Sequence, residues 1–178
     1  MLSFRSPFRV FPLLMLLTLA LTSGCKKDDT SAADKAKIEA QKKTDDDALR
    51  AYIAAQRLTA IPTASGLYYV VGTPAPAGAP APVSGQLVTV NYRGVLLDGT
   101  ADGTQFDSSY PRATPYEFTI DGSYRRPIAG WNEGVQLMHK GEHGRLLIPS
   151  YLGYGPNGSG PVPPNAVLIF YMALENIQ

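Results

Sequence analysis

The sequence predicts an α+β domain, an antiparallel sheet of five to six strands curled around one short helix, preceded by a tether and an N-terminal helix. Three observations carry this. Fifteen prolines and 17 glycines in 178 residues, with a 44% hydrophobic content, describe a folded chain with many turns. Several short apolar runs, one with clear period-2 alternation, are bounded by those turns. One stretch alone inside the block, "AGWNEGVQLMHK", reads as helical.

In chain order, Arg5 and Arg9 form a basic region before the apolar run "VFPLLMLLTLAL" and the small residues "TSG". This is the pattern of an export signal over residues 1–24, and a run of about a dozen residues is too short for a permanent membrane span. Cys25 follows at once and is the chain's one cysteine, so an internal disulfide is excluded. "LTSGC" resembles the lipobox at which bacterial lipoprotein signals are cut and the cysteine acylated, with Thr22 where the common pattern has Leu. A lipid anchor at Cys25 is therefore expected, in the cell envelope at the outer membrane, facing the periplasm or the surface. Loss of residues 1–24 leaves 14 basic against 15 acidic residues, a balance that excludes nucleic-acid binding through a basic surface.

Residues 25–43, rich in Lys, Asp, Ala and Ser, read as a tether. Residues 44–57 read as a helix capped by Thr44, with Asp45, Asp46 and Asp47 in its first turn. Leu49, Tyr52, Ile53 and Gln56 share one face, an apolar stripe that suits docking on the domain or pairing with a second copy. From residue 66 to 178 the strand pattern takes over: "LYYVV", then the Pro/Ala loop "GTPAPAGAPAPVSG", then "QLVTVNYRGVLL" with Val88, Val90 and Tyr92 alternating against Thr89, Asn91 and Arg93. "DGTADGTQ" reads as a turn, and "YEFTI", "HGRLLIPS" and "AVLIFYMALENI" as further strands.

Two motif spellings lack the context that their chemistry needs. "HKGEH" (His139 to His143) matches H-x-x-E-H, but Gly141 and the strand-like run after it deny the helix that would align two histidines on a metal. "GYGPNG" (Gly153 to Gly158) matches G-x-G-x-x-G, but the prolines after it forbid the helix that a dinucleotide requires. No metal and no cofactor is expected. What remains is a set of aromatic residues next to small ones in turns, with one acid: Tyr92, Phe106, Asp107, Tyr116, Phe118, Trp131, Tyr154 and Phe170. Phe106, Asp107 and Tyr154 are read in loops, and Trp131 at the mouth of the helix after Gly130. Such a set suits a concave apolar pocket with a few polar handles.

"VTVNYRGVLLDGT", "FDSSY", "IAGWNEGVQLMHKGE", "LLIPSYLGYG" and "VPPNAVLIFYMAL" stand in the order and spacing of one family. From about Gly66 onward the chain resembles the FKBP-type peptidyl-prolyl cis-trans isomerases. The resemblance implies a sheet curled around one helix, catalysis of X-Pro rotation in exported polypeptides without covalent chemistry, and a proline pocket with the indole of Trp131 as its floor. Tyr92, Phe106 and Phe170 would form walls, with Tyr116 and Phe118 nearby. Ile128 would offer its backbone N–H, and Tyr154 its hydroxyl, to the substrate carbonyl. Asp107 would sit at the rim, oriented by Arg112, and Val162 would close one side. Pro127, where the family usually has Val, removes a backbone donor, and it keeps open an alternative: a peptide-binding or chaperone module of low turnover. "KKDD" after Cys25 resembles the tag of surface lipoproteins from Bacteroidetes-like bacteria. A homodimer through the N-terminal helix is compatible with either function.

Overall fold

The computed structural model describes residues 31–100, 102–112 and 114–178. The expectations for the leader at 1–24 and for Cys25 lie outside these residues. Residues 32–178 form one compact unit, opening with helix α1, Ala32–Ala55. The helix therefore begins twelve residues before its expected start, and residues 32–43 are helical and not a tether. The segment has few large apolar side chains, but Ala, Lys, Gln and Glu are good helix formers. Pairs one turn apart add a few tenths of a kcal/mol each, such as Lys42–Glu39 (2.8 Å), Lys43–Asp47 (2.6 Å) and Arg50–Asp46 (2.6 Å). Thr44 is accordingly no cap, and its hydroxyl donates to the Ala40 carbonyl inside the helix (3.0 Å). The helix stops where Arg57 takes a left-handed φ of 52°. There Arg57 N–H bonds the Ala54 carbonyl and Leu58 N–H the Ile53 carbonyl, the double closure of a Schellman turn.

Seven strands follow: β1 Ile61–Pro62, β2 Tyr68–Thr73, β3 Leu87–Leu96, β4 Thr104–Ser108, β5 Tyr116–Thr119, β6 His143–Ile148 and β7 Leu168–Ile177. Helix α2, Ala129–Gly134, lies between β5 and β6. The sheet is antiparallel, in the order β1-β2-β6-β7-β3-β4, with β5 also paired to β3. The α+β class thus holds. The sheet exceeds the expected five to six strands through the two-residue β1 and through β4, which carries Phe106 and Asp107 on a strand, not in a loop.

Both faces of the sheet are covered, because successive side chains of a strand point to opposite sides. On one face Leu146, Ile148, Leu168, Phe170, Met172 and Leu174 pack with Trp131, Val135 and Met138 of α2 and the turn after it. On the other face Tyr68, Val70, Val95, Leu147, Val167 and Ile169 pack with Leu49, Tyr52 and Ile53. Docking on its own domain is thus how α1 uses its apolar stripe, while Gln56 lies beyond the helix and exposed. Two of the three acids make tertiary contacts: Asp45 is buried against Ser150 and Asp46 accepts from the Tyr68 hydroxyl (2.6 Å), while Asp47 pairs with Lys43 within the helix.

Candidate active site

The site opens where the long strand β3 changes partners. Residues 93–96 pair with β4 and residues 87–90 with β5, so the chain between β4 and β5 leaves the sheet opposite Asn91 and Tyr92. The backbone of Tyr92 stays satisfied there. Its N–H bonds Ser109 Oγ (2.9 Å), and its carbonyl accepts from Ser109 N–H (3.0 Å). The divergence of β4 and β5 exposes the inner face of the sheet without stranding a buried polar group.

A cavity of about 220 Å³ occupies this opening, lined by Tyr92, Phe106, Asp107, Tyr116, Pro127, Ile128, Trp131, Tyr154 and Phe170. Trp131 is held by rings meeting it edge to face: Tyr92 at 4.8 Å, Phe170 at 5.0 Å and Tyr116 at 5.6 Å, with Phe118 tilted at 6.0 Å. Such arrangements contribute about 0.5–1.5 kcal/mol per pair beyond area burial. The glycines beside the tryptophan set its depth. A Cβ on Gly130 would lie 2.6 Å from Ile148 Cγ2, and one on Gly134 would lie 2.6 Å from Leu146 Cδ1. These residues, four apart and so on one helix face, let α2 sit flush against β6. Gly94 clears space for two walls, since a Cβ there would stand 2.7 Å from both Phe106 Cζ and Phe170 Cε1.

The polar side of the cavity is a small network. The Tyr92 hydroxyl donates to Asp107 Oδ2, and Arg112 Nη2 donates to the Tyr92 hydroxyl (2.8 Å) and to Asp107 Oδ1 (3.0 Å). The Ser108 N–H adds a bond to Asp107 Oδ1 (2.8 Å). Burial, and next the bond to Asp107, push the Tyr92 hydroxyl up from its ordinary range. Burial first, then the charge of Asp107 and the neighbouring Tyr116, raise Tyr154 as well. Both phenols are therefore protonated donors at neutral pH. Two donors at the cavity are unclaimed among the described residues, the Ile128 N–H and the Tyr154 hydroxyl. The buried Trp131 Nε1–H also lacks a partner there.

Of the residues singled out from sequence, Tyr92, Phe106, Asp107, Tyr116, Ile128, Trp131, Tyr154 and Phe170 come together at the cavity. Phe118 is fully buried in contact with Trp131 and Tyr116 and does not line it. Val162 is buried in the main core and does not close a side. Arg112 stands outside the cavity and reaches it through Asp107 and Tyr92. Pro127, read from sequence as a departure, is itself a wall. Sequence reasoning passed over Ser109 and Gly94; "FDSSY" and "YRGVLL" contain them, but their roles depend on partners far along the chain. The H-x-x-E-H spelling resolves into structure: Glu142 is buried, accepting from the Tyr69 hydroxyl and the His139 N–H, and His143 opens β6. Gly155–Asn157 of the glycine motif is a short 3-10 turn. No metal-like cluster of His, Cys, Asp or Glu occurs among the described residues.

Comparison with known proteins agrees with this architecture. Residues 78–175 match the family model of the FKBP-type peptidyl-prolyl cis-trans isomerases, and the chain belongs to that family. It is 40% identical over 151 residues to FKBP-type peptidyl-prolyl cis-trans isomerase FkpA of Aeromonas hydrophila, covering 82% of this chain and 50% of that relative. It is 45% identical over 94 residues to FK506-binding protein 2 of Emericella nidulans, covering 53% of this chain and 66% of the relative. Among solved structures, FkpA from Escherichia coli superposes with a TM-score of 0.63 at 32% identity, over 82% of this chain and 65% of that one. AtFKBP13 gives 0.58 at 30% identity, over 67% and 99%. The chain thus spans about half the length of its Aeromonas relative.

Proposed function

We propose that this protein is a peptidyl-prolyl cis-trans isomerase acting on X-Pro bonds of exported polypeptides. The observation that carries the reading is the aromatic cavity with two unclaimed donors, Ile128 N–H and Tyr154 OH, at its edge. Rotation about an amide must cross about 18–20 kcal/mol because it breaks the C–N resonance. The two X-Pro isomers differ by only ~0.5–1 kcal/mol, so the obstacle is kinetic. Catalysis then requires no nucleophile and no proton transfer. Tyr92, Phe106, Trp131 and Phe170 receive the pyrrolidine ring in a water-poor environment that favours the twisted, less polar amide. Ile128 N–H and the raised, protonated Tyr154 hydroxyl are available to the carbonyl of that geometry, and Asp107, fixed by Arg112 and Tyr92, holds the rim polar. Each ~1.4 kcal/mol of preference for the twisted state gives a factor of ten in rate.

A second reading, a peptide-binding or chaperone module with little turnover, draws on Pro127, which lines the cavity and brings no backbone N–H to it. The test is cis-to-trans relaxation of a short Xaa-Pro peptide with the full chain, beside Asp107→Ala and Tyr154→Ala. Acceleration by the wild type, largely lost in both variants, supports catalysis. A folded wild type that binds the peptide without accelerating it establishes the binding module instead.

The same proposal places the chain in the cell envelope, held by acylated Cys25 after removal of residues 1–24, in a bacterium of Bacteroidetes-like type. Incorporation of a fatty-acid analogue that persists in Cys25→Ala would refute the anchor. A homodimer through the N-terminal helix loses its support, since Leu49, Tyr52 and Ile53 pack on the helix's own domain.

A further inference from the structure

On the far side of the sheet from the cavity, α1 makes one deep polar contact with the segment that carries Tyr154. Asp45 is 1% exposed, and so is Ser150. Asp45 Oδ2 accepts both the Ser150 N–H (2.8 Å) and the Ser150 hydroxyl (2.6 Å), and Oδ1 accepts from Gln41 Nε2 (2.7 Å). No cation pairs with this carboxylate among the described residues, so hydrogen bonds carry the cost of its burial.

Ser150 opens a 3-10 turn, Ser150–Leu152. In it Leu152 N–H bonds the Pro149 carbonyl and Gly153 N–H the Ser150 carbonyl, each at 3.0 Å. Gly153 follows, pressed so close to Leu168 that a Cβ would lie 2.9 Å from Leu168 Cδ1. Tyr154 comes next, and beyond it the Gly155 carbonyl accepts from Asn165 N–H (2.9 Å). Tyr154 therefore hangs on a short span pinned by Asp45 at one end and Asn165 at the other. Its hydroxyl has no hydrogen bond of its own among the described residues, so this span sets where it stands.

We propose that Asp45 is a positioning residue for Tyr154: the N-terminal helix, outside the residues that match the family model, fixes the turn that aims the Tyr154 hydroxyl at the substrate carbonyl. The inference rests on the donor role given to Tyr154 above. A carboxylate suits the task because one oxygen can accept two bonds at once, from a backbone donor and a hydroxyl. Asparagine can do the same through its carbonyl oxygen, while alanine leaves the buried Ser150 N–H without an acceptor.

The experiment measures kcat/KM of the full chain on a Xaa-Pro peptide, for Asp45→Ala and Asp45→Asn, in wild-type and Tyr154→Phe backgrounds. Peptide affinity and amide hydrogen exchange are followed in parallel. Misplacement of a catalytic group by about 1 Å can cost a factor of 100, and a partly constrained turn should lose roughly tenfold. The expected result is that tenfold loss in kcat for Asp45→Ala, with affinity changed less than about twofold, and recovery to within about threefold for Asp45→Asn. In the Tyr154→Phe background, Asp45→Ala should cost less than about twofold, because coupled residues are not additive. Leu152 and Gly153 amides should lose protection in Asp45→Ala while β7 amides keep theirs. Equal losses in both backgrounds, or no loss in a folded Asp45→Ala, overturn the proposal. An inert wild type refutes the isomerase reading instead, and unchanged exchange at Leu152 and Gly153 then refutes the anchoring on its own. Should Asp45→Ala not fold, Ser150→Ala removes one of the two bonds and enters the same cycle, with a loss of roughly threefold expected.

Discussion

Leu49→Ala tests whether α1 is part of the folded domain or an appendage. Leu49 has no exposed surface, and it is packed among Tyr68, Val70, Leu147 and Ile169 under the helix. The substitution removes three carbons, each contributing about 0.8 kcal/mol when buried, or about 2.4 kcal/mol before any cavity is counted. Leu→Ala changes in cores cost about 2–5 kcal/mol. A surface helix can settle inward, so a value in the lower half, about 2–3.5 kcal/mol, is expected. At about 2–4 °C per kcal/mol for a chain of this size, melting should fall by about 4–14 °C. Thermal unfolding is followed by circular dichroism at two protein concentrations tenfold apart, beside Ile38→Ala as a control. Ile38 is 47% exposed, and its truncation should move the transition by less than about 2 °C. A Leu49→Ala shift as small as that of the control would refute the docking of the helix. A wild-type transition that rises with concentration would instead give the apolar stripe to a second copy.

Three further outcomes follow from the same geometry. Gly94→Ala should push the Phe106 and Phe170 rings away from strand β3 at a cost of about 1–3 kcal/mol and weaken binding of a proline peptide read by Trp131 fluorescence; unchanged stability and affinity would contradict the 2.7 Å clearances. Tyr92→Phe removes the hydroxyl between Asp107 and Arg112 and should lower urea stability by about 1–2 kcal/mol, while an unaltered midpoint would mean that the network contributes nothing. In alkali, Tyr68 is pushed up to about 12, by burial first and by its bond to Asp46 next. A phenol raised above its unfolded value of ~10 contributes stability fully present below that pH and lost as pH climbs toward 12, a drop of at most ~2.7 kcal/mol. Asp46→Asn should shrink the drop in urea titrations across pH 9–12, and an identical profile would refute the assignment.

The strands that the sequence makes legible are those whose side chains divide between two environments. Val88, Val90 and Tyr92 alternate with Thr89, Asn91 and Arg93, and their burial alternates in step. Strand β4 shows no such code. "TQFDS" has a single large apolar residue because it lies at the sheet edge, held mainly by backbone bonds to β3. The first half of α1 is illegible for a related reason. It buries almost nothing, so no apolar periodicity marks it, and its order comes from helix propensity and from a C-terminal half anchored on the sheet. Asp45, Asp46 and Asp47 resemble a charged first turn, and only the tertiary fold reveals that Asp45 faces Ser150 and Asp46 faces Tyr68. Aromatic residues beside small ones marked the cavity walls, whereas Ser109, which keeps β3 satisfied, and Gly94, which gives two rings their space, act across long stretches of chain and carry no local signature.

A site of this kind sets stability against function at a few atoms. Its donors have to be left without internal partners, and a buried donor without a partner costs about 1–3 kcal/mol. Among the described residues the Trp131 indole N–H has no partner, and under the proposed function the Ile128 N–H and Tyr154 hydroxyl are kept for the substrate. Compensation comes from elements that never touch substrate. Gly130 and Gly134 let α2 pack flush on β6, edge-to-face rings fix Trp131, and Ser109 closes the gap left by the diverging strands. In this fold the proposed site draws on both covered faces of one sheet. The inner face supplies the rings, and the outer face, through Asp45 of α1, bonds Ser150 at the start of the turn that precedes Tyr154.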